Sequence, residues 1–124
     1  MLARSDIISV HAPLTPQTRG LVNAVAFAKM KKGALIVNTA RGPLIDETAL
    51  VAALDSGHLG GAALDVVATE PLPKGSALLH RDNVILTPHT AFYSVEALDE
   101  LQSKCANDVA RVLSGEPPVY PVKQ

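Results

Sequence analysis

In ALIVNTARG (34–42) an aliphatic run ends on Arg41 between small residues. Two more runs follow the same plan: GAALDVVATEP (61–71) delivers Glu70, and NVILTPH (83–89) delivers His89. A short apolar run bounded by breakers reads as a buried strand of a parallel sheet. Open α/β sheets bind ligands in the crevice outside the carboxyl ends of such strands. A guanidinium, a carboxylate and an imidazole are therefore expected to converge on one pocket, and together they form a set of catalytic parts.

Working outward, IISVH (7–11) reads as another strand, and LARSD ahead of it as the last turn of a helix. Asn23 is placed to cap a helix over 24–31, closed by Lys31, Lys32 and Gly33. Asp46 is placed to cap a second over 47–56, with Ala49, Leu50, Ala53 and Leu54 as its apolar stripe. GAALDV and VILT complete the strands. A last helix is expected over about 94–114, capped by Ser94, with an extended tail from Pro118. Strands alternating with helices predict a parallel α/β sheet with flanking helices.

The chain has 124 residues, which allows one domain, and its formal net charge of −1 comes with no basic stripe. Composition therefore gives no support for direct nucleic acid binding or an anionic membrane partner. No apolar stretch approaches the length of a membrane span. Cys105 is the single cysteine, so no internal disulfide is possible, and a reducing cytoplasm is the expected setting. No His or Cys pair stands at i, i+3 or i, i+4, so no metal is expected. G-x-S-x-G, G-x-G-x-x-G and the P-loop pattern are all missing from these residues.

The ordered series VHAPLTPQT, KKGALIVNTARGPLIDETAL, GAALDVVATEP and NVILTPH resembles the D-isomer-specific 2-hydroxyacid dehydrogenases over nearly the whole chain. The resemblance implies that residues 1–124 are the second half of a Rossmann-like, doubly wound NAD-binding domain. The glycine-rich loop, the ribose-binding acid and the substrate domain are then expected ahead of Met1. It implies Arg41, Glu70 and His89 as catalytic residues. It also places Ala12, Pro13, Leu14, Thr18, Thr39, Ala40, Arg41, Asp65, His89, Ala91 and Phe92 near NAD, with NADP left open. The implied reaction interconverts a small D-2-hydroxy acid and a 2-keto acid, in a protein expected to be a homodimer at full length. HTAFYS (89–94) departs from many members and resembles the carboxy-terminal-binding corepressors, so a dinucleotide-sensing module is the second reading. An inactive remnant is the third. Without a phosphate-cradling loop, the 124-residue chain alone is expected to bind NAD weakly or not at all.

His89 suits the proton donor, since reducing a keto acid needs a proton at oxygen from a group titrating near neutrality. Glu70 would bond the other ring nitrogen and fix the tautomer; its alternatives are a solvated loop carboxylate or a bond to Thr69. Arg41 would hold the substrate carboxylate with two parallel bonds; its alternative is a surface ion pair with Asp46 or Glu47. Asp65 either accepts from the nicotinamide carboxamide, the favoured reading, or braces a loop. His11 is as consistent with a packed histidine as with a cofactor contact, and His58 and His80 receive no role.

Overall fold

The computed structural model describes residues 1–122 and divides into two compact units, Met1–Ala91 and the residues from Phe92 on. In the first unit the order is β1 (Ile7–Val10), α1 (Ala24–Ala28), β2 (Ala34–Asn38), α2 (Glu47–Asp55), β3 (Leu59–Leu64) and β4 (Val84–Leu86). Short 3-10 turns precede β1 at Leu2–Arg4 and follow β2 at Gly42–Leu44. The strands form one parallel sheet in sequence order, β1-β2-β3-β4.

That order has a consequence for the two faces. Each right-handed crossover steps the same way along the sheet, so α1 and α2 share one face. α1 packs on α2, and α2 on β3. Ile8, Val10, Ile36, Ala62 and Leu64 point into the core beneath them, joined by Phe27, Leu44, Leu50, Leu54 and Leu59. Each fully buried Ile, Leu or Phe contributes about 1.5–3 kcal/mol. The alternate strand residues face the other way, and within this unit Ile7, Leu35 and Ile85 are 61%, 42% and 66% exposed. Among the described residues β1 pairs with β2 alone.

Local chemistry sets the element ends. The Asn23 side chain accepts from Val25 N and Ala26 N, and Asp46 Oδ1 accepts from Ala49 N. The first helix stops at Ala28, short of the expected 31, because Lys29 N–H tightens onto Ala26 and Phe27 and Met30 turns into the core. The third strand starts at Leu59, two residues before the expected Gly61. A β-carbon on Gly60 would meet Gly33 O at 2.5 Å, and one on Gly61 would meet Asn83 O at 2.7 Å. Glycine alone lets β3 enter between the turns that precede β2 and β4.

The second unit is built on α3 (Val95–Leu113), whose first turn is capped by Ser94 Oγ accepting from Ala97 N. Arg111 in the last turn pairs with Glu116 at 3.0 Å and donates to Pro117 O. The segment after Pro118 is tied to this helix, because Asp108 accepts from Val119 N and Tyr120 N, both at 2.9 Å. The end of the expected tail, positions 123–124, lies outside the described residues.

Candidate active site

The carboxyl ends of β2, β3 and β4 carry the site, and each hands on to a loop held by side chains that bond backbone. Beyond β4, His89 adopts φ 56°, a left-handed conformation uncommon for a residue with a side chain. Its N–H donates to Asp65 O at 2.8 Å and to Thr87 O at 3.0 Å. Asp65, which follows β3 and is buried, holds the rest of that loop. Its Oδ1 accepts from Thr87 Oγ1 at 2.5 Å and Thr90 N at 2.8 Å, and its Oδ2 accepts from Ala91 N at 2.9 Å. Burial pushes the Asp65 carboxyl up, but the bonds from Thr87, Ala91 and Thr90 and the nearby His89 outweigh it and bring it below its ordinary value.

With the backbone so held, His89 Nδ1 lies 2.8 Å from Glu70 Oε2. The second oxygen of Glu70, Oε1, accepts from Val67 N at 3.1 Å. The bond to His89 foremost, then that from Val67, lowers the Glu70 carboxyl from its ordinary value. An ionised Glu70 accepts, so Nδ1 of the ring carries a proton. The Glu70–Pro71 peptide is cis. The two side chains and Asp65 border a cleft of about 370 Å³ whose apolar wall includes Pro71, Leu72, Leu79 and Leu86. That volume falls within the range of small-molecule sites.

Arg41 stands at the end of β2 on a turn gripped by Asn38. This asparagine is fully buried; its Oδ1 accepts from Ala40 N and its Nδ2 donates to Arg41 O, both at 3.0 Å. Arg41 Nη1 donates to Ala40 O at 2.6 Å, and among the described residues Arg41 forms no ion pair with Asp46 or Glu47. Thr39 is exposed. The structure thus brings His89, Glu70 and Asp65 together around one cleft, with Arg41 on the neighbouring strand end outside its lining.

At the end of β1, Thr18 Oγ1 donates to Pro13 O at 2.7 Å and accepts from Thr15 N, curling residues 12–18 into a compact turn. Ala12 and Leu14 pack against the core. His11 pairs through Nε2 with Ser9 Oγ at 2.8 Å, and His58 Nε2 lies 2.9 Å from Phe27 O at the end of α1. Phe92 belongs to the second unit, where it meets Tyr93 edge-on at 4.3 Å.

Residues 1–91 match the family described as D-isomer specific 2-hydroxyacid dehydrogenase, NAD binding domain. The chain belongs to this family. It is 48% identical over 118 residues to the glyoxylate reductase of Thermofilum pendens, a match covering 95% of this chain and 35% of that protein. To the glycerate dehydrogenase of Methylorubrum extorquens it is 44% identical over 119 residues, covering 94% and 38%. Among solved structures it is similar to a D-isomer specific 2-hydroxyacid dehydrogenase of Xanthobacter autotrophicus in complex with NADPH and MES. There the TM-score is 0.83 at 46% identity, covering 98% of this chain and 50% of that one. The chain therefore spans little more than a third of the length of these two curated relatives.

Within this domain, sequence reading missed the residues that hold the candidate site residues in place. Asn38 had a visible signal, a carboxamide closing an apolar strand, where burial demands partners. Thr87 and Glu47 had none, because their bonds cross 22 and 21 positions of sequence. For Asp65 the structure supplies the bracing role that the sequence reading ranked second.

Proposed function

We propose that the protein carrying this chain is an NAD(P)-dependent oxidoreductase that interconverts small 2-keto acids and D-2-hydroxy acids. The observation that carries it is the 2.8 Å bond between His89 Nδ1 and Glu70 Oε2. A carboxylate on Nδ1 fixes the orientation and tautomer of the imidazole, so that Nε2 is the atom that moves the proton. In reduction, His89 Nε2 gives its proton to the forming alkoxide; in oxidation it takes the hydroxyl proton. Glu70 stays ionised throughout and orients the ring. Arg41 holds the substrate carboxylate as a bidentate partner, on a turn whose small residues let the backbone approach a ligand.

The cleft and the Thr39–Ala40–Arg41 turn fit the nicotinamide end of the cofactor, with Ala12, Pro13, Leu14, Thr18, Asp65 and Ala91 as further candidates for contact. The bound cofactor supplies or accepts the hydride at the substrate's C2. NADPH in the Xanthobacter relative, beside a family described as NAD binding, supports leaving the choice between NAD and NADP open. The same proposal places the enzyme in the cytoplasm as a homodimer without nucleic acid partners. Among the described residues no helix is long and apolar enough to cross a membrane.

The test is NADH and NADPH oxidation by the carrying protein with glyoxylate and larger 2-keto acids. His89→Gln is expected to lower kcat by roughly 10²–10⁴ and to flatten the pH profile. Turnover of no 2-keto acid, or a His89→Gln enzyme as fast as its parent, overturns the proposal.

A further inference from the structure

Glu47 opens α2, yet its carboxylate does not serve that helix, whose first-turn amide at Ala49 is capped by Asp46. Instead Glu47 Oε1 reaches across to accept from Ala68 N at 2.5 Å. The peptide it grips joins Val67 to Ala68, and Gly42 lies against the same peptide. A β-carbon on Gly42 would lie 2.0 Å from both Val67 C and Val67 O and 2.6 Å from Ala68 N. The preceding amide, Val67 N, is the one that donates to Glu70 Oε1. One peptide is thus clamped between a carboxylate and a bare glycine. The amide beside it orients the carboxylate that orients His89.

We propose that Glu47 is a positioning residue for the His89–Glu70 pair, acting through the clamped Val67–Ala68 peptide. This rests on reading that pair as the proton-transfer device, and it adds a residue that touches neither substrate nor cofactor. A tether that only strengthened the loop would need no particular relation to Glu70. A clamp predicts that Glu70 itself senses the loss of Glu47.

The readout is the carboxyl titration of Glu70, followed by carbon-detected NMR in the 124-residue chain and in its Glu47→Ala and Glu47→Gln variants. Two effects have opposite signs. Removing the Glu47 charge can only lower the Glu70 midpoint, because loss of a negative charge favours ionisation. Releasing the clamp raises it, because the Val67 amide no longer favours the ionised form. The charged groups facing Glu70, His89 and Asp65, are unchanged in either variant. We expect a clear upward move in Glu47→Ala. In Glu47→Gln, which keeps a carbonyl acceptor for Ala68, the move should be smaller. In the carrying enzyme, kcat should fall roughly tenfold in Glu47→Ala with KM nearly unchanged, as for misplaced catalytic groups.

A Glu70 midpoint that stays or falls in Glu47→Ala, while the Ala68 amide resonance moves, overturns the proposal. If Glu47→Ala does not fold, Glu47→Met, which keeps the stem but removes the acceptor for Ala68, decides by the same criterion. A parent enzyme inert toward 2-keto acids would sink the proposed activity and leave the titration result standing.

Discussion

Gly42→Ala is expected to be severely destabilising, although a backbone argument alone predicts the reverse. Gly42 lies outside the left-handed region, so alanine is conformationally allowed there. At such sites Gly→Ala commonly stabilises by about 0.4–1 kcal/mol through the unfolded chain. The contact says otherwise. The added carbon would stand 2.0 Å from Val67 C and O, where ordinary contact begins at 3.4 Å, so the two turns must part by about 1.4 Å. The obstructing atoms are backbone and cannot swing aside as a side chain tip would. Parting them stretches the 2.5 Å bond from Ala68 N to Glu47 Oε1 past hydrogen-bond length. Overpacking costs about 1–3 kcal/mol, and losing a hydrogen bond to a charged group about 1.5–3 kcal/mol more.

For a unit of this size each kcal/mol moves Tm by about 4–8 °C, so the expected drop is at least ~10 °C. Thermal unfolding followed by circular dichroism measures it, with Gly57→Ala as the comparison. Gly57 has φ 65°, and a β-carbon added there would meet nothing within 4 Å, so its variant bears backbone strain alone. That strain costs about 1–2 kcal/mol. A Gly42→Ala chain that melts within a few degrees of the parent, or no lower than Gly57→Ala, refutes the close approach and with it the clamped peptide.

Two further predictions concern charge. Arg41→Lys keeps the cation and loses the planar fork, so kcat/KM on 2-keto acids in the carrying enzyme should fall about a hundredfold; unchanged steady-state kinetics would remove Arg41 from the mechanism. Asp65→Asn presents an amide N–H₂ to Ala91 N–H and should cost about 1–3 kcal/mol near neutral pH, read from urea unfolding. The Asp65 carboxyl is lowered from its ordinary 3.8, so the stability it lends is fully present above that value. It is lost as pH falls through the lower folded midpoint. The gap between parent and Asp65→Asn should therefore narrow in strong acid, and a gap constant from neutrality downward would show that the carboxylate charge is immaterial.

The sequence discloses what is local and periodic. Asn23, Asp46 and Ser94 cap the helices they were expected to cap, since a cap needs only a side chain two or three residues from its amide. The strand ends that carry Arg41, Glu70 and His89 were legible because hydrophobic runs stop where the sheet meets solvent. Distant pairing leaves no such mark. Nothing near Gly42 announces that Val67 will press against its α-carbon, and nothing near Glu47 announces Ala68. The bracing by Asp65 ranked second because the family resemblance favoured a carboxamide contact, and its bonds to Thr87, Thr90 and Ala91 depend on β3 and β4 lying side by side.

These unannounced residues have a common logic. The loops after β3 and β4 leave the sheet, so their amides lose ladder partners and must find acceptors elsewhere. Three carboxylates supply them, with Glu70 serving Val67, Glu47 serving Ala68, and Asp65 serving Thr90 and Ala91. Of these, Glu70 also bonds the imidazole. The position of His89 relative to Glu70 is then fixed from both loops at once: Asp65 O receives the His89 amide while the Asp65 side chain holds the residues beyond it. A single acid facing a histidine on two untethered loops would spend much of its time apart from it, at an entropic cost of about 1–2 kcal/mol for each residue ordered. Backbone amides bonded by acids outside the pair meet that cost in advance, which is why the integrity of the pair should depend on Glu47 and Asp65.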